Sequence, residues 1–140
     1  MKIRIHYDIE RFKLSESLRT KRIAGKIITD AGRKLGLVDV IFTSDKKLVE
    51  INREFLSHNY FTDIITFDYC EGRTVYGEIY ISVDSIRENS KSLNVTLRSE
   101  VNRVIFHGFL HLCGYNDSSR KEKETMHDME DMYLALYNAE

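Results

Sequence analysis

Residues 106–117 read FHGFLHLCGYND, and the rest of the chain can be interpreted outward from this stretch. His107 and His111 are four residues apart, so on an α-helix both imidazoles lie on one face, one turn from each other. Gly114 stands where a helix can end in a left-handed cap, and Asp117 comes just after that turn. Two imidazoles and one carboxylate can enclose a Zn²⁺ and leave a fourth position open for water, which is typical of catalytic zinc. The predicted metal ligands are therefore His107, His111 and Asp117.

A histidine pair at this spacing can also be interpreted in other ways. Such pairs arise by chance on solvated or packed helix faces, and it is the glycine and the carboxylate after them that favour a metal site here. In the zinc-protease pattern H-E-x-x-H, the glutamate after the first histidine is the general base, whereas here that position is Gly108. The missing base argues against ordinary peptide hydrolysis and leaves the hydrolysis of a phosphodiester open.

Three blocks of sequence, in order along the chain, match one known family. Residues 107–115 fit H-G-x-L-H-L-x-G-Y. Residues 51–52 (IN) and 62–67 (TDIITF) are similar to L-N and T-D-V-L-S-F, and residues 77–82 (GEIYIS) are similar to G-D-I-x-I-S. Together the blocks resemble the YbeY family, the bacterial endoribonucleases and rRNA maturation factors.

The resemblance implies a fold, an activity and a cellular setting. It implies a zinc-dependent, single-strand-specific endoribonuclease with a single Zn²⁺ in each chain, acting in rRNA maturation and ribosome quality control. It further implies a cytoplasmic protein whose partners are an rRNA precursor and the ribosome or ribosomal proteins.

The chain departs from the family pattern at three positions. Asp117 stands where the family usually has a third histidine, and since an aspartate oxygen is an acceptable zinc ligand, we expect the site to be kept with altered charge. Leu56 stands where the family has an arginine that is thought to serve activity, and Arg103 stands where many members carry a histidine. If Asp117 only stabilises the start of the following helix, His127 is the next candidate for the third ligand.

Two arginines are candidate catalytic residues. Arg103 shares a helix stripe with Glu100 and the two histidines, and we expect this stripe to line a cleft. Arg103 is a candidate phosphate contact, and an intrahelical pair with Glu100 is the alternative. Arg53 lies one turn before Leu56 and could replace the missing family arginine, with plain surface charge as the alternative.

Length and composition fit one domain, residues 1–140, that can bury a core, since 42% of the 140 residues are hydrophobic. The net charge of −1 does not require a nucleic-acid partner, so RNA binding would depend on a local basic cleft. No apolar run approaches the roughly 20 residues of a membrane helix, and we expect an intracellular protein with no membrane association. Cys70 and Cys113 form no C-x-x-C pair, which favours free thiols.

The apolar periodicity predicts an α+β fold: a small mixed β-sheet with helices packed on it and the zinc-binding helix near the C-terminal half. Strands are predicted at residues 2–7, 38–42, 63–69 and 76–82. Helices are predicted between Ser15 and Gly36, at 43–55 and 84–93, from Leu97 (on the buried side) past His111, and from the capping box at Ser119 onward.

Three functions remain open from the sequence. The first is zinc-dependent hydrolysis of single-stranded RNA, for which the residues predict the metal and the resemblance supplies the substrate. The second is a metal hydrolase of peptides or other small substrates, against which the absent glutamate counts. The third is a non-enzymatic, ribosome-associated protein whose zinc is only structural, which Leu56 keeps open.

Overall fold

The computed structural model describes residues 2–55 and 63–140, and these have the predicted α+β architecture. The elements along the chain are β1 (Lys2–Tyr7), α1 (Ser17–Asp30), β2 (Lys34–Thr43), α2 (Asp45–Phe55), β3 (Ile64–Asp68), β4 (Thr74–Ser82), α3 (Val83–Ser92), α4 (Leu97–Leu112) and α5 (Arg120–Ala139). The strand order is β1-β2-β4-β3. β2 is parallel to both β1 and β4, and β3 is antiparallel to β4, so the sheet is mixed as predicted.

Helices α4 and α2 pack on opposite faces of this sheet. Successive side chains of a strand point to opposite faces of the sheet, and two neighbouring residues of β3 show which helix covers each face. Ile64 packs against the main core, which includes α4, whereas Ile65 packs with Leu48 and Ile51 of α2. Because α1 and α5 also contact α4, ten of its sixteen residues are buried. The helix that carries both histidines is thus the most enclosed helix of the main core.

Two glycines allow α4 to lie close to the sheet. A Cβ atom on Gly108 would lie 3.0 Å from two side-chain carbons of Ile79. A Cβ atom on Gly77 would lie 2.8 Å from both a Leu112 methyl and the Phe67 carbonyl oxygen. Larger side chains at these positions would push the helix and the sheet apart, because packed interiors have little room to absorb added volume. The sequence therefore fixes both the distance and the rotation of α4.

The predicted C-terminal end of α1 was wrong. The helix ends at Asp30, and Gly32, with a φ of 73°, makes the left-handed turn that follows it. Leu35 and Gly36, predicted to finish the helix, instead lie in β2. Leu35 continues the helical spacing of apolar residues into the strand, so periodicity alone could not separate the two elements.

Smaller predictions had mixed outcomes. Leu97, predicted to face the core, is 37% exposed at the first position of α4. Both cysteines are free thiols, as predicted. Among the described residues, no helix combines the length and the apolar character that crossing a membrane requires.

Candidate metal centre

Helix α4 presents two imidazoles to the same cleft. The Nε2 atoms of His107 and His111 are 3.0 Å apart, and the rings meet edge to face with their centroids at 4.5 Å. Both side chains are partly exposed, so they remain accessible from the cleft. This juxtaposition follows directly from their spacing of four residues on one helix.

The turn after α4 returns the chain toward the histidines. Gly114 has a φ of 102°, its N–H donates to the His111 carbonyl, and the Tyr115 N–H donates to the Leu110 carbonyl, both at 3.0 Å. This pair of hydrogen bonds is a Schellman motif, which prefers glycine at its left-handed position. As a result, Asp117 lies with its Oδ2 3.4 Å from the Nε2 of each histidine.

The three donor atoms have the chemistry and the spacing that a zinc ion needs. Two imidazole nitrogens and one carboxylate oxygen lie within 4.8 Å of one another. The two Nε2 atoms are 3.0 Å apart, and each is 3.4 Å from the Asp117 oxygen. Ligands that bind zinc tetrahedrally at about 2.0–2.1 Å lie roughly 3.3 Å from one another. The arrangement can therefore hold a metal ion with little movement of the side chains.

A carboxylate that the sequence analysis missed lies behind His107. Glu130 of α5 has its Oε2 2.6 Å from His107 Nδ1, and its side chain is only 8% exposed. Burial lowers the pKa of His107, but the hydrogen bond and the negative charge of Glu130, together with the charges of Asp117 and Asp63, outweigh burial and hold the pKa above its ordinary value. The sequence offered one sign of this contact. Glu130 is a charged residue one turn after Met126, on the side of α5 that is buried.

Arg103 faces the cleft but makes ion pairs with two acidic residues of α5. Its Nη1 is 2.9 Å from Glu130 Oε1, and its Nη2 pairs with Asp131. The hydrogen bond from Arg103 holds the pKa of Asp131 below its ordinary value. The alternative partner, Glu100, feels the charge of Arg103, but no hydrogen bond joins the two in the described structure. A contact between Arg103 and a phosphate stays a prediction.

The cleft has a volume of about 420 Å³ and is acidic. Its described lining consists of Asp63, Ile64, Glu100, Arg103, Val104, His107, His111, Asp117 and Glu130. Four carboxylates thus face one guanidinium in the part of the lining that the structure describes. The stripe of α4 lines a cleft as predicted. The described lining is not the local basic cleft that we expected for RNA, and the place where RNA would bind stays a prediction.

The remaining candidates lie elsewhere. Arg53 is in the last turn of α2 and does not belong to the described lining of the cleft. Leu56 lies outside the described residues. Within the described chain, His127 does not belong to the group of possible ligands. Cys113 caps α4, and burial raises its pKa to about 11, which disfavours the thiolate that a metal would need.

Comparisons with known proteins connect the chain with one family. Residues 5–138 match the family model described as Endoribonuclease YbeY. An Endoribonuclease YbeY from Phocaeicola vulgatus is 43% identical over 135 residues, which cover 94% of this chain and 97% of that protein. One from Bacteroides thetaiotaomicron is 48% identical over 105 residues, 75% of this chain and 77% of that protein. A solution structure of a Thermotoga maritima protein, 31% identical, aligns with a TM-score of 0.69 over 97% of this chain and 89% of that chain.

Replacing Asp117 by alanine removes one of the three donor atoms. We expect the affinity for zinc to fall by more than the roughly 10–100-fold that the loss of an outer-shell partner costs. The measurement is competition with a chelator, starting from metal-free protein. Asp117→His should retain the metal, because imidazole is also a zinc ligand.

Ser119→Ala is the matched control for this experiment. Ser119 caps α5 by accepting from the Glu122 N–H at 3.1 Å, so its loss should cost about 1 kcal/mol of stability without changing the zinc affinity. Equal zinc affinities for the wild type and Asp117→Ala would assign the third ligand elsewhere, with His127 the next residue to test.

Proposed function

The chain belongs to the YbeY family of endoribonucleases, and we propose that it is a zinc-dependent endoribonuclease that cleaves single-stranded RNA. The observation that carries the proposal is the convergence of His107, His111 and Asp117 on one cleft. The described residues supply three such ligands, and a set of three favours catalytic zinc, because structural sites are closed by four. When bound, zinc supplies a Lewis acid that polarises a phosphoryl oxygen and lowers the pKa of a water molecule.

The position of Gly108 argues against a protease. In H-E-x-x-H enzymes the residue after the first histidine is the general base. Here that position packs on the sheet, where even a Cβ atom would lie 3.0 Å from Ile79 carbons. A carboxylate at this position would point toward β4 rather than into the cleft. Peptide hydrolysis therefore lacks its usual base for a steric reason as well as a chemical one.

Glu100 is our candidate for proton transfer in the cleft. Its side chain is buried, at 6% exposure, and it lines the same cleft as the metal ligands. Burial is the main influence on the pKa of Glu100 and raises it, although the charge of Arg103 acts in the opposite direction. A carboxyl group whose pKa is raised suits general acid–base catalysis at neutral pH better than an unperturbed one.

The substrate class and the cellular setting are carried over from the family. We take the substrate to be an rRNA precursor, the partners to be the ribosome or ribosomal proteins, and the location to be the cytoplasm. A role in rRNA maturation and ribosome quality control belongs to the same proposal. The match to the family model over residues 5–138 supports this extension. Arg103 and Arg53 stay candidate phosphate contacts, of which only Arg103 belongs to the described lining of the cleft.

The proposed activity predicts which substrate the purified protein cleaves. It should cleave single-stranded RNA but not casein, a chelator should abolish the cleavage, and added zinc should restore it. His111→Ala should reduce the cleavage to background, because one metal ligand is lost. His6→Ala is the matched control, since His6 pairs with Asp39 in the sheet and does not belong to the described cleft.

Three outcomes of that assay would contradict the proposal in different ways. Cleavage of casein would favour a peptide hydrolase. Zinc retention without any cleavage of RNA would favour a ribosome-associated protein with structural zinc. RNA cleavage that survives both metal removal and His111→Ala would exclude the metal centre as its source.

The acidic cleft predicts that RNA binding depends on the metal. Phosphates are repelled by the carboxylates of Asp63, Glu100, Asp117 and Glu130, and Arg103 offsets only part of that charge. Zinc-loaded protein should therefore bind a short single-stranded RNA more tightly than metal-free protein, with a shallow salt dependence that reflects few phosphate contacts. Fluorescence anisotropy over a salt series measures both quantities, and a gel checks that the RNA remains intact. Equal affinities for the two forms would show that the cleft does not receive the phosphates.

A further inference from the structure

The buried carboxylate of Glu130 reaches from α5 to the back of a predicted metal ligand on α4. Its Oε2 lies 2.6 Å from His107 Nδ1, and its Oε1 lies 2.9 Å from Arg103 Nη1. We propose that Glu130 is a positioning residue that holds the His107 imidazole with Nε2 toward the metal site, and that Arg103 holds Glu130 in place. The inference rests on the proposed function, because it assumes that His107 is a metal ligand.

The contact with Glu130 selects one tautomer of His107. An ionised carboxylate can only accept hydrogen bonds, so the ring nitrogen that faces it must carry the proton. That nitrogen is Nδ1, which leaves the lone pair of a neutral ring on Nε2. The Nε2 atom is the one that meets His111 at 3.0 Å and Asp117 at 3.4 Å. The tautomer that Glu130 selects is therefore the one that can bind a metal at this site.

The two histidines differ in how they are held. Over residues 2–55 and 63–140, no hydrogen-bond partner meets Nδ1 of His111, whose contacts are all made through Nε2. Among the described residues, His107 is therefore oriented by a side-chain contact at Nδ1 and His111 is not. Orienting a ligand beforehand reduces the entropy that binding must remove, so the loss of Glu130 should weaken binding although it contributes no donor atom.

Arg103 makes the buried charge of Glu130 tolerable. A carboxylate that is 8% exposed is costly unless a cation pairs with it, and Arg103 supplies that cation. Both guanidinium nitrogens that face α5 are in ion pairs, one with Glu130 and the other with Asp131. In this arrangement Arg103 acts on the metal site through Glu130. An ion pair that only joined α5 to α4 would not require the 2.6 Å contact with His107.

The test compares zinc affinities of variants that differ in one contact. Glu130→Gln keeps the volume of the side chain and removes its charge, and Glu130→Ala removes the contact. Both should bind zinc roughly 10–100-fold more weakly than the wild type in chelator competition. Asp131→Asn is the matched control, because Asp131 is the neighbouring residue and pairs with the same arginine but touches neither predicted histidine ligand. Its zinc affinity should equal that of the wild type.

A double-variant cycle tests the role of Arg103. If Arg103 acts through Glu130, then Arg103→Gln should weaken zinc binding in the wild type and add little in the Glu130→Gln background. Additive losses would overturn that role. A wild-type zinc affinity in either folded Glu130 variant would overturn the positioning role of Glu130 itself.

The protonated ring nitrogen of His107 can also be identified in the wild type, so this measurement does not require a variant that folds. Long-range ¹H–¹⁵N spectra of metal-free wild type, recorded at a pH where the His107 ring is neutral, report which ring nitrogen carries the proton. We expect Nδ1–H for His107, and Nε2–H would overturn the inference. Neither readout uses RNA. A wild type that binds no zinc would instead refute the proposed function.

Discussion

The close packing of α4 on the sheet, with Gly108 against Ile79, is the contact on which the candidate site depends. It fixes the rotation of α4, since the face that carries Gly108 must turn toward β4. With α4 in that rotation, the side chains of His107 and His111 face the cleft beside β3. The Schellman turn at Gly114 then determines where the chain leaves the helix and brings Asp117 to the same point. Two glycines with different tasks, one for packing and one for a turn, thus place three side chains within reach of one ion.

The site contains more carboxylates than the one that belongs to its predicted metal ligands. Asp117 contributes a carboxylate directly, and Glu130 adds a second one behind His107, balanced by Arg103. Asp63 and Glu100 add two further carboxylates to the described lining of the cleft. A surface of this kind favours a divalent cation and disfavours a polyanion. The proposed RNA substrate therefore has to be attracted by the bound metal and by groups beyond the described lining, rather than by a basic cleft.

Local sequence patterns predicted the features that depend on near neighbours. The strand and helix order, the histidine pair on α4, the cap at Gly114 and the capping box at Ser119 each need only a few adjacent residues, and the structure has all of them. Periodicity failed at Leu35, where the apolar spacing of α1 ran on into β2. The contact between Glu130 and His107 depends instead on how α5 packs on α4, which no short pattern encodes.

The acidity of the cleft was unpredictable for the same reason. The four carboxylates of its described lining come from the residue before β3, from α4, from the turn after α4 and from α5, and only the fold brings them together. Composition gave a net charge of −1, which carries no information about this distribution.

The proposed site holds one zinc ion between His107, His111 and Asp117. Anomalous diffraction at the zinc absorption edge, from crystals of zinc-loaded protein, would locate this ion. We expect one strong peak for each chain, about 2.0–2.2 Å from His107 Nε2, His111 Nε2 and a carboxylate oxygen of Asp117. The absence of a peak at this position, or a peak whose ligands are other residues, would contradict the proposed site.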